Sequence, residues 1–573
     1  MGDFFAELKS RHIYRVAAAY VVVAWLVLQL FNNLDPILKM PEWVGSFMLA
    51  VLMGGFPVSL FLAWVLQMAP RAGVKLPARI IAATAPSAFP PRSAAALSIA
   101  VLPLANLSGD PAQEFFSDGM TDEISSALTK VHDLRVVGRS SAFQFKGQHK
   151  DSRAIGRALG ARYLIDGSVR KFGERVRITA QLTDAESGVQ RWAETYNREL
   201  MDVFAVQEEI AEAITTALQV PLGLAQGQLL VSRRTANLES YEDYLRAKAL
   251  VRARGPRESG GPLSEAAKLL EQVVARDSNY APAWAVLAQA YSLIPAFSPA
   301  QATGSPEEFR GTVLATLSKA EKAAQHAIQL EPANAEGYTA LATVETFRRR
   351  FISAEDLFKK ALSLDPSNPE ALQVYSVALA TAGRLKDALP LRQRLRALEP
   401  FVPVYNVFTA QVLWLNGQDD AAIAILNGLP PNTAFGATSL AEIHAAAGRF
   451  DDAADALLKT PPGFYRPGIV EIAVQLLRSA PTPTATAYEL PKLGQLSFVY
   501  LYAGAPERAL EPAEDGDPDA PTAMLLWHPS AAAVRRTERF KTLIRKVGFV
   551  EFWRANGWPD FCRPQGTDDF VCE

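Results

Sequence analysis

The paired acids Asp419-Asp420 and Asp451-Asp452 have the residue types for metal binding or for general acid and base catalysis. Each pair, however, follows a glycine turn and opens a helix, where carboxylates complement the positive end of the helix dipole. Asp118, Asp122 and Glu123 form a third acidic group, readable as a ligand-facing cluster but better as turn and helix-start chemistry. Six histidines, at 12, 132, 149, 326, 444 and 528, have no partner at metal-ligand spacing. The chain also lacks the H-E-x-x-H, P-loop, G-x-S-x-G and G-x-G-x-x-G patterns. Arg348, Arg349 and Arg350 make a basic knob of the kind that is usually solvated, though it suits a phosphate or an acidic partner. No catalytic, cofactor-binding or metal-binding residue is assigned, no cofactor is expected, and the chain is expected not to be an enzyme.

Composition narrows the partners. The chain has 573 residues, 49% of them hydrophobic, and a net charge of −2, which allows several domains and gives no basic nucleic-acid surface. No nucleic acid is expected as a partner, and a small-molecule ligand stays unknown. Cys562 and Cys572 are the two cysteines. They read either as a disulfide in an oxidising compartment or as two free thiols, because sequence proximity does not fix geometry.

The elements that would position a binding site come from an internal repeat. Pro332, Pro366 and Pro400 each follow a Leu-Glu or Leu-Asp pair and lie 34 residues apart. Ala320, Ala354 and Ala388 keep the same interval, as do Ala327 with Ala361 and Gly383 with Gly417. Small residues belong where two helices of a hairpin cross closely, and proline ends the second helix. Residues 335–368 carry the whole pattern, with Tyr338, Leu341 and Ala342 on a first helix and Ala354, Phe358 and Ala361 on a second. Asn368-Pro369-Glu370 then reads as an N-cap, a proline at the first helical position and an acid in the first turn. This chain resembles the tetratricopeptide repeat family at these positions. The array is expected over 238–512, with its best repeats at 281–334, 335–368, 369–402 and 403–436. Ser292 to Gly311 is expected to be a loop inserted in the first of these. By analogy with the family, a concave partner-binding groove would be lined by Ala285 and Gln289, by Thr339, Thr343 and Thr346, by Gln373 and Val377, and by Val407, Gln411 and Trp414, with Trp414 as the anchor. The basic clamp that some relatives use to hold a C-terminal carboxylate is not visible.

The opening of the chain is different in character. Val16 to Leu34 and Trp43 to Met68 are free of charge and long enough to cross a hydrocarbon core as helices, with Tyr20, Trp25, Trp43 and Trp64 placed as interface anchors. Residues 1–70 are therefore expected to be a membrane anchor with two spans, about 16–34 and 43–68, followed by a Pro-, Ala- and Ser-rich linker at 71–96. Lys9, Arg11 and Arg15 before the first span and Arg71, Lys75 and Arg79 after the second place both ends in the cytoplasm by charge bias. A disulfide would place the soluble part in the periplasm instead.

Between linker and repeats, residues 97–225 alternate strand and helix patterns and read as an α+β domain: strands near 98–104, 134–138, 163–171, 176–184 and 189–196, helices near 112–131, 155–159 and 204–218. The segments SIAVLPLANLSGD from Ser98, FFSDGMTDE from Phe115, YLIDGSVRK from Tyr163, RVRITAQLTD from Arg175 and DVFAVQEEI from Asp202 are similar to the TolB amino-terminal-domain-like module. The resemblance implies a bacterial protein in which that module joins tetratricopeptide repeats. In relatives a nucleotide cyclase, a protein kinase or a winged-helix domain precedes the membrane helix. The expected class is thus multidomain: two transmembrane α-helices, an α+β domain, and an all-α solenoid, closed by a cap at 513–573 with the cysteine pair. The expected function is a non-enzymatic scaffold or sensor of the bacterial inner membrane, binding protein partners through the groove. Its alternatives are a ligand-sensing regulatory subunit of a separately encoded cyclase or kinase, and a cell-envelope assembly factor.

Overall fold

Val176, Ile178, Ala180 and Leu182 alternate with polar residues, which in an extended chain sends one side of a strand into a core and leaves the other side wet. That strand lies inside a mixed sheet formed by β1 (Leu97–Val101), β2 (Ala105–Asn106), β3 (Leu134–Val136), β4 (Tyr163–Phe172), β5 (Arg175–Asp184) and β6 (Val189–Glu199). The computed structural model describes residues 97–573 apart from 132, 149–150, 223–234, 236, 254–260, 298–305, 432, 434, 462–463, 482–488, 490–491 and 515–523. The sheet order is β3-β1-β4-β5-β6, with β2 beside β4; β1 runs parallel to β3 and β4, while β4, β5 and β6 are antiparallel.

Two helices, α1 (Glu114–Thr129) and α4 (Val203–Ala217), cover one face of this sheet. Phe116, Ile124 and Leu128 from the first, and Val206, Ile210 and Ile214 from the second, share a core with Val176, Ile178 and Leu182. Between them in the chain come the short α2 (Arg139–Ala142) and α3 (Ser152–Leu159). On the opposite face α3 sets Ile155 and Leu159 on Ala100, Leu102 and Leu164, near the start of β4. Among the described residues the rest of that face, over the second half of β4, β5 and β6, stays open.

Helical hairpins follow: α5 (Leu238–Arg252) with α6 (Gly261–Arg276), α7 (Ala281–Leu293) with α8 (Pro306–Leu330), α9 (Ala335–Phe347) with α10 (Phe351–Leu364), α11 (Pro369–Thr381) with α12 (Leu385–Leu398), α13 (Pro403–Leu415) with α14 (Asp419–Asn427), and α15 (Gly436–Ala446) with α16 (Phe450–Leu457). Beyond α17 (Ile469–Ser479) the pattern decays into 3-10 turns at Gly494–Leu501 and Pro506–Leu510. Alanines at the crossing positions are fully buried, among them Ala320, Ala354, Ala388 and Ala422. Asn334 and Asn368 cap α9 and α11, accepting the N–H of Gly337 at 2.7 Å and of Ala371 at 2.9 Å. The loop expected at Ser292 to Gly311 is shorter than that. Helix α7 continues to Leu293, a 3-10 turn spans Pro295–Phe297, and α8 already begins at Pro306, because proline at the first position followed by acids is helix-start chemistry.

The short turns inside the hairpins from α9 to α16 each hold one residue in the left-handed region. Gly383 (φ 82°) and Gly417 (φ 74°) supply it, and Arg349, 34 residues before Gly383, holds the same conformation at φ 59°. A side chain there costs about 1 kcal/mol, offset in part by the greater freedom of glycine in the unfolded chain. Arg349→Gly is accordingly expected to raise the stability of the repeat array by several tenths to about 1 kcal/mol, read as an upward shift of the urea midpoint. A downward shift would show that the arginine itself stabilises the turn.

A C-terminal layer covers these turns. It includes α18 (Glu538–Val547), α19 (Phe549–Asn556) and the hairpin β7 (Cys562–Gln565) with β8 (Asp569–Cys572), whose paired residues Cys562 and Cys572 form a disulfide. Trp527 and Trp553 donate their indole N–H groups to the carbonyls of Thr381 (2.8 Å) and Ala382 (2.9 Å), and Phe549 packs on Phe351 at 4.8 Å. The sheet module is pinned to the array at the turn before α13. The carboxylate of Glu399, 2% exposed, accepts the N–H groups of Ser140 (3.1 Å) and Ser141 (2.7 Å), while Gly138 donates to Leu398 O at 2.7 Å. A Cβ on Gly138 would lie 2.3 Å from the Glu399 carboxyl carbon, so this approach requires glycine.

Among the described residues no helix is long and apolar enough to cross a membrane. The spans expected at 16–34 and 43–68, and the linker at 71–96, lie outside the described residues. The expected two-span membrane class, and the multi-pass inner-membrane location that rested on it, are corrected to what the described residues form: a helical repeat solenoid with a small sheet region.

Candidate peptide-binding cleft

The first helices of successive hairpins, α7, α9 and α11, lie side by side, and between them runs a cleft with about 140 Å³ of room. Gln289 and Ser292 of α7, Glu336, Thr339 and Thr343 of α9, and Asn368, Glu370 and Val374 around the start of α11 line it. The local sequence explains the chemistry of the wall. Threonine hydroxyls within a helix donate to the carbonyl four residues back, as Thr339 does to Ala335 O (2.8 Å) and Thr343 to Thr339 O (2.9 Å). With that hydrogen committed, each oxygen is left as an acceptor. Glu336 and Glu370 belong to the first turns of α9 and α11, where acids are favoured, and Glu370 also accepts from the hydroxyl of Tyr405 at 3.0 Å. The lining therefore holds two carboxylates and no cationic side chain. Such a wall is built for donors: backbone N–H groups of an extended chain, or an ammonium or guanidinium.

Of the groove residues expected from sequence, Gln289, Thr339 and Thr343 line this cleft. Ala285 beside them is buried, and Thr346 is half-buried with its hydroxyl donated to Ala342 O at 2.9 Å. Gln373 accepts from Arg392, a guanidinium with no exposure that also donates to Ser376 Oγ at 3.2 Å; Val377 is half-buried. Burial without a carboxylate pushes Arg392 down to about 9. Val407, Gln411 and Trp414 lie in the interior. Gln411 donates to Ser439 Oγ at 3.0 Å, and Trp414, 2% exposed, stacks on His528 at 4.3 Å, so the chain's own C-terminal layer occupies the place of an outside partner there. Glu336, Asn368, Glu370 and Val374 were not expected in the lining. For three of them the signal was in the sequence: Glu336 stands one turn before Thr339, and Asn368 and Glu370 open α11 one turn before Val374.

The acidic groups also have places. Asp419-Asp420 and Asp451-Asp452 stand in the first turns of α14 and α16. Asp122 reaches across from α1 to Lys248 and Arg252 (2.8 Å) of α5 and to Arg139 (3.3 Å), Glu123 pairs with Lys248 at 2.8 Å, and Asp118 with Lys146 at 2.6 Å. Arg348 is bound to Glu321 at 2.7 Å and Arg350 to Glu345 at 3.3 Å, which accounts for two residues of the basic knob.

No protein-family model matches the chain. A Rhizobium meliloti (strain 1021) protein named "Putative adenylate cyclase 3" is 38% identical over 268 residues, 46% of this chain and 43% of the relative. The chain thus spans less than half the length of the curated relative it matches. That name corrects the expectation that the chain is no enzyme, which does not stand beside a relative so named. Among solved structures, YrrB, described as a TPR protein with an unusual peptide-binding site, is 17% identical with a TM-score of 0.27, covering 36% of this chain and 98% of that one. A tetratricopeptide repeat protein from Parabacteroides merdae is 13% identical with a TM-score of 0.29, covering 49% and 91%. The human IFIT1 dimer with m7Gppp-AAAA is 14% identical with a TM-score of 0.36, covering 78% and 98%.

Proposed function

We propose that this chain is a protein-binding scaffold whose helical cleft takes an extended, donor-rich peptide segment carrying a lysine or arginine. The acceptors that Thr339, Thr343, Glu336 and Glu370 turn into the cleft carry this reading. An extended peptide fits a groove between parallel first helices, and its cation would face the carboxylates of Glu336 and Glu370 in the lining. The division into a sheet domain at 97–225, a repeat array at 238–512 and a cap at 513–573 belongs to the same proposal, with the sheet domain fixed beside the array.

A fluorescein-labelled extended peptide alternating lysine with threonine tests it by fluorescence anisotropy. Charge reversal by Glu336→Lys is expected to weaken its binding by about tenfold or more, while the fold loses no more than the roughly 0.3–1 kcal/mol that a cation costs in an exposed first turn. Equal binding of a peptide with glutamate in place of lysine would sink the reading.

A second reading is favoured by the relative named as an adenylate cyclase. In it the scaffold regulates, or forms part of, nucleotide cyclase chemistry. Cyclic AMP formed from ATP by the full chain, alone and with its co-purified partners, is the measurement, and no cyclic AMP in either sample would remove it.

A further inference from the structure

We propose that the open face of the sheet is a second docking surface, separate from the cleft, for an acidic protein segment in extended conformation. Along β4 and β5 the side chains of one face are read from the register: Phe172 stands opposite Arg175, Arg170 opposite Arg177, and Ser168 opposite Thr179. The helices α1 and α4 cover the other face, and among the described residues nothing covers this corner: Arg170, Arg175 and Arg177 are exposed, and Phe172 is 83% exposed at the tip of the hairpin. Like charges directly opposite in an antiparallel pair destabilise it, yet two guanidiniums occupy such a pair here and a third lies one step along the same strand. Among the described residues none of Arg170, Arg175 and Arg177 forms an ion pair with a carboxylate; Arg170 Nε donates to the backbone carbonyl of Leu107 at 2.9 Å. The acid in register beside them is Glu199, opposite Arg175 on β6. A cationic corner with an exposed aromatic at its tip is a costly surface to leave alone and a good one to cover with carboxylates.

The spacing selects the partner. Residues two apart on a strand are separated by about 7 Å, and adjacent strands by about 5 Å. An extended peptide with a carboxylate at every second position repeats at the same interval, and a guanidinium receives a carboxylate through two parallel hydrogen bonds. A polyphosphate backbone needs a longer basic stripe than two residue rows, and this chain carries a net charge of −2. This surface stands on different residues from the cleft, so either proposal can fail without the other.

The test uses the full chain and a fluorescein-labelled peptide that alternates glutamate with threonine and carries one phenylalanine. Binding is expected in low salt, weakening steeply as salt rises, and falling by about tenfold or more in the double variant Arg170→Ala, Arg177→Ala. The same variant is expected to keep or slightly raise the melting temperature, since it removes a like-charge pair, which separates lost binding from lost folding. Glu336→Lys in the cleft is expected to leave this peptide's affinity unchanged. The proposal is overturned by no binding, by equal binding of a glutamine-for-glutamate peptide, by equal affinity in the double variant, or by tighter binding of a single-stranded oligonucleotide or phosphatidylserine vesicles than of the acidic peptide.

Discussion

Replacing Asp122 with alanine is expected to loosen the junction between the sheet module and the first hairpin by about 3–5 kcal/mol, the cost of stranding buried charge. The carboxylate is enclosed by Arg252, Lys248 and Arg139, with Phe143 under the Arg139 guanidinium at 3.6 Å. Burial alone would raise its pKa, but those three cations outweigh it and hold the group well below the usual carboxylate range. Without Asp122, Arg252 loses the carboxylate it is paired with and Lys248 keeps Glu123 alone, so repulsion acts where attraction held α1 to α5. Backbone amides in α1 and α5 are expected to exchange with solvent faster by roughly 100- to 5,000-fold, read by hydrogen-exchange mass spectrometry. The double variant Asp122→Ala, Arg252→Ala should recover part of that protection. Exchange unchanged within about threefold would show that the cluster does not couple the two elements.

What the sequence made legible followed from period. Proline and alanine at fixed offsets mark helix ends and close crossings, and both act through local sterics, so Pro332, Pro366 and Pro400 located hairpins without any knowledge of their packing. The strands at Tyr163–Phe172 and Arg175–Asp184 were equally plain, since alternation is a local signal. Position 349 was harder. Its arginine breaks the glycine rule of the hairpin turn, and only the backbone angle shows that it adopts the same conformation as Gly383.

The site was legible only in part, because a groove is defined by what fails to fill it. Thr339 and Thr343 face the cleft as their helical positions require. Trp414, at the position of Thr346 two hairpins on, meets His528, brought there by a C-terminal layer that no local pattern announces. The three cations around Asp122 likewise come from two other helices, α2 and α5, so the sequence offered turn chemistry or a ligand-facing cluster where tertiary contact makes an ion-pair junction. Contacts between distant segments are set by the packing of whole elements, and a single sequence records them only through residues that need a partner.

Glu442→Gln is expected to have the largest pH-dependent effect in the molecule. Its carboxyl lies 3% exposed on α15, and burial pushes it up to about 8, against which a hydrogen bond from Gln411 works only partly. A carboxylic acid with a raised folded pKa holds its proton in the native state after the unfolded chain has released it. Stability contributed by that proton is present below the unfolded value of 4.5 and is lost as pH rises towards 8. The neighbouring titratable groups act elsewhere: burial pushes Tyr502 up to about 12, and burial with the Arg535 charge pushes His528 down to about 4. The imidazole has the opposite sign, since a depressed histidine destabilises the fold as pH falls from 6.5 towards 4. Comparing wild type with the glutamine variant cancels the histidine and leaves the acid. The two should unfold alike at pH 4, and the variant should gain with rising pH, by as much as about 5 kcal/mol for the C-terminal hairpins at pH 8 and above. Thermal unfolding of both proteins across that range measures the difference. A constant difference between them at every pH would mean that Glu442 titrates like a solvated acid, and that the buried amide and hydroxyl groups around it have room to hydrate its charge.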